Sequence, residues 1–117
     1  MSIDTDLATV LKTVCARTFT DFASVNTQRP YVTFQLIGGA SWRFVEGAAA
    51  DKRNTFVQIN VWADKRLEAN ALARQIEEAM CAATLFTATP DSELVGDFDA
   101  DVPVYGTRQD FNVTAAR

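Results

Sequence analysis

The stretch Thr55-Phe56-Val57-Gln58-Ile59-Asn60-Val61-Trp62 runs straight into Ala63-Asp64 and an alanine-rich segment. Successive side chains of a strand point to opposite faces, so Thr55, Val57, Ile59 and Val61 form one β-branched face, and Phe56, Gln58, Asn60 and Trp62 form a mixed one. The first face suits a core, and the second does not need to be covered. After Asp64, placed here as the N-cap, the apolar period changes from two to 3.6. Ala69, Leu72, Ala73, Ile76, Ala79, Met80 and Ala83 fall on one side of a helix that runs to about residue 83, with Arg74, Glu77 and Glu78 opposite. Its alanine side lets the helix lie close against a sheet. Lys65 and Arg66 near its start and Glu77 and Glu78 nearer its end oppose the helix dipole, each at a cost of about a few tenths of a kcal/mol, so tertiary packing must hold it.

Towards the N-terminus, residues 31–37 alternate as a second strand, with Val32, Phe34 and Leu36 on one side and Tyr31, Thr33, Gln35 and Ile37 on the other. Pro30 keeps Arg29 extended. Residues 42–46 read as a further short strand and 46–54 as a loop with little to anchor it. Upstream, Asp4 and Asp6 favour a helix start, and Leu7, Val10, Leu11 and Val14 recur at helical spacing, with Thr18 and Phe19 at the fading end. Towards the C-terminus, 85–89 (stopped by Pro90), 93–98 and 105–114 read as strands. The last carries Tyr105, Thr107, Gln109, Phe111 and Val113 on one face. Strands come in runs, not in alternation with helices. The fold class is therefore α+β: a mainly antiparallel sheet of four to six strands with two helices packed on one face, in a single domain over residues 1–117. The expected core is Leu7, Val10, Leu11, Val57, Ile59, Val61, Leu72 and Ile76.

The chain has 117 residues, 48% of them apolar, enough for one modest core, and a net charge of −4. No run approaches the roughly 18 apolar residues of a membrane helix. The N-terminus lacks the basic start and apolar segment of a signal peptide, so residence in the cytoplasm that made the chain is the expectation. There is no histidine. That removes Ser-His-Asp and Cys-His nucleophile pairs and every His-ligated metal site. Cys15 and Cys81 are too few for a cysteine-only metal site and read as free thiols, so no cofactor is expected. Residues 1–83 balance nine acids with nine bases, whereas 84–117 hold six acids (Asp91, Glu93, Asp97, Asp99, Asp101, Asp110) and two bases (Arg108, Arg117). Such a balance argues against a nucleic-acid surface, which needs a basic stripe.

Asp97-x-Asp99-x-Asp101 resembles the opening of a calcium loop. Val102 and Arg108 stand where such a loop needs glycine and glutamate, so the motif fails. A solvated acidic turn is the plain reading, and contact with a basic partner surface the sharper one. An extended backbone would present all three aspartates on one side. Gly38-Gly39 matches no phosphate-binding pattern and reads as a strand bend. Acidic pairs are too common in soluble chains to indicate glycosidase-type chemistry, and no enzyme is expected. Trp42 and Phe44 share one side of a short strand, and Phe56 and Trp62 share the mixed side of another. They are either sheet cover or a subunit interface. The candidate interface is therefore Trp42, Phe44, Phe56, Trp62, Asp97, Asp99 and Asp101.

In order along the chain stand Pro30-Tyr31-Val32-Thr33-Phe34, then Val57-Gln58-Ile59-Asn60-Val61-Trp62-Ala63 leading into the alanine-rich helix, then Tyr105-Gly106-Thr107-Arg108-Gln109-Asp110-Phe111-Asn112-Val113. This pattern resembles the small tail-completion proteins of siphophages and prophages, a family similar in fold to tail terminators. The resemblance implies a structural virion-assembly protein: a ring, commonly a hexamer, at the head-proximal end of the tail tube, with further copies of itself, the tail tube protein and the head connector protein as partners. It also implies assembly in the bacterial host cytoplasm and residence in the virion tail, with no catalytic residues, no sequence-specific nucleic-acid binding and no membrane. The alternative from another class is a stand-alone small-molecule or peptide-binding α+β domain that uses the mixed sheet face as a pocket floor.

Overall fold

The computed structural model describes residues 3–24, 26–39 and 52–116. Its spine is the strand that decided the reading, here β3 (Lys52–Ala63). Val57, Ile59, Val61 and Ala63 are buried, and Phe56, Gln58, Asn60 and Trp62 are half-buried. The strand starts three residues before the expected Thr55 because Asn54 is buried and its amide donates across the sheet to Asn112 and to the carbonyl of Val113. In chain order the remaining elements are α1 (Ile3–Lys12), β1 (Thr18–Thr20), β2 (Tyr31–Gly38), α2 (Arg66–Ala82), β4 (Thr87–Pro90), β5 (Val95–Asp99) and β6 (Val104–Ala116).

The six strands form one sheet in the order β1-β2-β3-β6-β4, with β5 also on β6. Only β1 and β2 pair in parallel among the described residues, and every other pair is antiparallel. The core lies on one face. There Leu7 and Leu11 of α1 and Ala69, Ala73, Ile76 and Met80 of α2 pack with Val32, Phe34, Val57, Ile59, Val61, Phe111 and Val113. The α+β class, the antiparallel sheet and the placement of both helices on one face agree with the sequence reading. Val10 and Leu72, expected inside, are only partly buried against this cluster. Leu36, expected on the core face, is exposed, where a register shift between Leu36 and Gly38 bends β2.

Several boundaries are corrected. Thr18 and Phe19 are not the end of a helix. The last turn of α1 closes where the Thr13 hydroxyl and backbone N–H both donate to Val10 O, and the Thr18 hydroxyl caps a turn on Cys15 O at 2.6 Å. The chain then leaves as β1, held by Val32 N–H on Arg17 O (2.9 Å) and Asp21 N–H on Phe34 O (2.8 Å). Asp64 is not the N-cap of α2. Lys65 takes that place with extended backbone and no side-chain cap, while the Asp64 carboxylate accepts from Arg29 Nε at 2.6 Å. β4 includes Pro90, paired with Phe111 at the sheet edge, where no N–H is required. The strand expected at 42–46 and most of the loop expected at 46–54 lie outside the described residues; Lys52, Arg53 and Asn54 belong to β3. Both cysteines are free, Cys15 buried and Cys81 exposed.

Candidate assembly surface

The helices close one face of the sheet. On the other face, the strand registers lay out rows of side chains that no described helix covers. One row is Tyr31, Trp62, Gly106 and Asp97; the next is Thr33, Asn60, Arg108 and Val95; a third is Gln35, Gln58 and Asp110. Trp62 faces Gly106 across the strands, and a Cβ added to Gly106 would lie 2.6 Å from two indole carbons. The six-membered ring of the indole therefore sits against the glycine backbone in the space a side chain would fill, a contact that only a residue without a side chain permits. Tyr31 flanks it, and Asp21, Phe22, Ala23, Thr33 and Asn60 complete an open groove of about 340 Å³. Phe22 is 77% exposed. A second groove, of about 220 Å³, runs past Thr27, Arg29, Tyr31 and Trp62 to Asp99, Val102 and Val104.

The structure separates the residues named from the sequence. Phe56 and Trp62 do share the uncovered face, but six residues of strand place them about 20 Å apart. Phe56 lies opposite Gly38 and Asn112, away from the groove. Trp42 and Phe44 lie outside the described residues. The three aspartates do not form one extended row. Asp97 and Asp99 share the uncovered side of β5, but the Asp99 carboxylate turns to accept from the backbone N–H of Asp101 (3.0 Å) and Val102 (3.4 Å), so Asp101 sits in the turn before β6. A short polar side chain that caps its own turn in this way competes with continued strand.

Sequence reasoning missed three contributors. Tyr31 was assigned to the correct strand side but not to the aromatic group that the β2–β3 register completes. Phe22 could have been flagged as an isolated aromatic in a polar connector. Arg66 anchors the acidic end from the helix side: its guanidinium donates to Gly106 O (2.8 Å) and Asp97 O (2.6 Å) and lies 5.3 Å from the centre of the Tyr105 ring. Phe98 stacks on Tyr105 with ring centroids 4.9 Å apart. The connector between β4 and β5 is tied to α2 in the same manner. Arg74 donates to Glu93 at 2.6 Å, and the Gln109 amide donates to Glu77 (2.7 Å) and to Ser92 O (3.1 Å). The hydrogen bond from Arg74, joined by the backbone N–H of Leu94, holds the Glu93 carboxyl below the usual carboxylate range. Burial, with Glu77 and Glu78 nearby, pushes the Cys81 thiol up.

Among the described residues, no group of histidine, cysteine, aspartate or glutamate side chains could hold a metal ion, and no helix is long and apolar enough to cross a membrane. What the surface offers is contact: an aromatic groove, a polar face and short edge strands on a rigid two-layer support. The arrangement is an α+β fold with one sheet face covered by the helices and the other left open. The family described as tail completion protein gp17 matches residues 2–113, and the chain belongs to that family of phage tail proteins, with a role in tail assembly. No curated protein matches it.

Proposed function

We propose that this chain acts as one tail-completion domain over residues 1–117, closing into a ring at the head-proximal end of the tail tube. The ring, a hexamer in this reading, ends tube growth and presents a docking surface to the head connector after assembling in the host cytoplasm. The observation that carries the reading is the asymmetry of the sheet. One face is spent on the core, whereas the other keeps Trp62, Tyr31 and Phe22 accessible around an open groove. Short edge strands leave backbone groups for a neighbour, and contacts that are not self-complementary close into rings when the rotation permits. The mechanism is binding, with no covalent step. Deleting the gene from its phage or prophage and imaging the particles tests this. The expected result is tails of irregular upper end, separate from filled heads, restored by the intact gene; head-joined tails of normal length in the deletion would overturn it. Groove binding of small molecules with unchanged tail assembly would instead favour a stand-alone ligand-binding domain.

A further inference from the structure

We infer that neighbouring copies join head to tail through their sheet edges, the outer edge of β5 in one copy pairing antiparallel with the outer edge of β1 in the next. This inference rests on the ring reading and adds which edges meet. The register puts the two strands at the same level: Thr18 aligns with Val32, Val61, Thr107 and Gly96, and Phe19 with Thr33, Asn60, Arg108 and Val95. At that level the sheet is five strands wide, and among the described residues nothing pairs with the outer side of β1 or of β5. β1 runs with β2, and each later step across β3, β6 and β5 reverses direction, so β1 and β5 run in opposite senses. Two copies placed side by side in one orientation therefore present an antiparallel junction.

Charge chooses between this arrangement and a two-fold one. Around β5, residues 91–101 hold Asp91, Glu93, Asp97, Asp99 and Asp101 and no base. Of these only Glu93 is ion-paired among the described residues. Pairing β5 with β5 would set two such runs against each other, and like charges on adjoining strands repel. The approach to β1 instead carries Lys12 and Arg17, with Asp21 the acid that follows it. Apolar groups flank both edges, Phe22 beside β1 and Val95 and the 54% exposed Phe98 on β5. β1 is only three residues long, so a single junction is weak. Closure, in which every copy makes two junctions, raises the effective concentration of the last contact.

The test uses two single-site chains, both carrying Cys81→Ser, one with Phe19→Cys and the other with Val95→Cys, oxidised at high concentration and on assembled tails. Phe19 and Val95 stand at one level on the uncovered side of the sheet, so a head-to-tail junction links them. The disulfide dimer is expected in the mixture and absent from either chain alone. Because Phe19 meets the Tyr31 ring edge-on, a second pair on the helix side, Thr20→Cys with Leu94→Cys, serves if the first misfolds. Linking of the Val95→Cys or Phe19→Cys chain with itself would establish a two-fold junction and overturn the inference. Ring-sized particles without the mixed link would overturn the edge assignment and leave the ring intact. A chain that stays monomeric at every concentration and on tails would remove both.

Discussion

Gly106 is the residue on which the uncovered face depends most directly. The indole of Trp62 occupies the space a side chain would need, so Gly106→Ala must lift the ring. Overpacking of this kind costs about 1–3 kcal/mol. The expected outcome is a lower urea midpoint and altered Trp62 fluorescence in a Trp42→Phe background. Gly106→Ala combined with Trp62→Ala should lose less than the sum of the single changes, since the clash is shared. Glu93 gives a second residue-scale prediction. Its folded carboxyl is held below its ordinary value by Arg74 and the Leu94 N–H. A lowered folded pKa stabilises the native state above the unfolded carboxylate value, about 4.3, and that contribution disappears as pH falls through the folded value. The stability difference between the natural chain and Glu93→Gln should therefore be present at pH 7 and vanish at pH 2–3, as read from urea midpoints across the range. A difference that persists in acid would show that Glu93 acts through packing instead. Both groups of the pair are solvent-exposed, so added salt should shrink the difference at pH 7.

At the scale of the element, α2 carries a measurable consequence in Cys81. Its thiol is raised by burial and by Glu77 and Glu78 on the same helix, and so carries less thiolate at neutral pH than a free cysteine. With Cys15 buried, a thiol reagent should modify one group per native chain, more slowly than a model thiol, and Glu78→Gln should speed it. Fast reaction of two thiols would mean that α1 opens readily from the core. What the sequence revealed about the elements follows the range of the forces that make them. β3, α2 and β6 declare themselves through their own period, because each buries one face against the core and that face repeats. β1 has three residues, and its backbone partners come from β2, beyond the connector that ends at the Arg29–Pro30 peptide, so nothing local marks it. Asp64 looks like a cap, but Arg29, far off in sequence, claims its carboxylate. The candidate surface divides along the same line. That Phe56 and Trp62 share a face follows from parity alone. That Trp62 belongs with Tyr31 and Phe22, and not with Phe56, follows from a register between strands, which no single strand encodes. The aspartates misled because alternation suits a strand equally well when the last member belongs to a turn.

For the whole molecule, the relevant quantities are surface and charge. A standard protein interface takes about 800 Å² from each partner. Two such contacts would use about a quarter of the 6939 Å² that the chain exposes, a share compatible with a subunit joined on both sides. The acidic end should govern how fast such contacts form. Charges at the rim of an interface steer encounter more than they hold it, and salt screens them within about 8–10 Å. Changing Asp97, Asp99 and Asp101 together to asparagine should slow assembly at low salt and flatten its salt dependence, measured by light scattering. Unchanged rate and salt dependence would leave the acids as a solubility feature. The pairing of β3 with β6 has a different consequence, a mechanical one. The ladder from Lys52–Ala116 to Ala63–Tyr105 is unbroken. Opposed pulls along the two strands load all its hydrogen bonds together, whereas a pull across them opens the ladder one rung at a time. The chain is thus stiff to tension in one direction and yielding in the other, so the direction in which a particle strains this subunit matters as much as the size of the force.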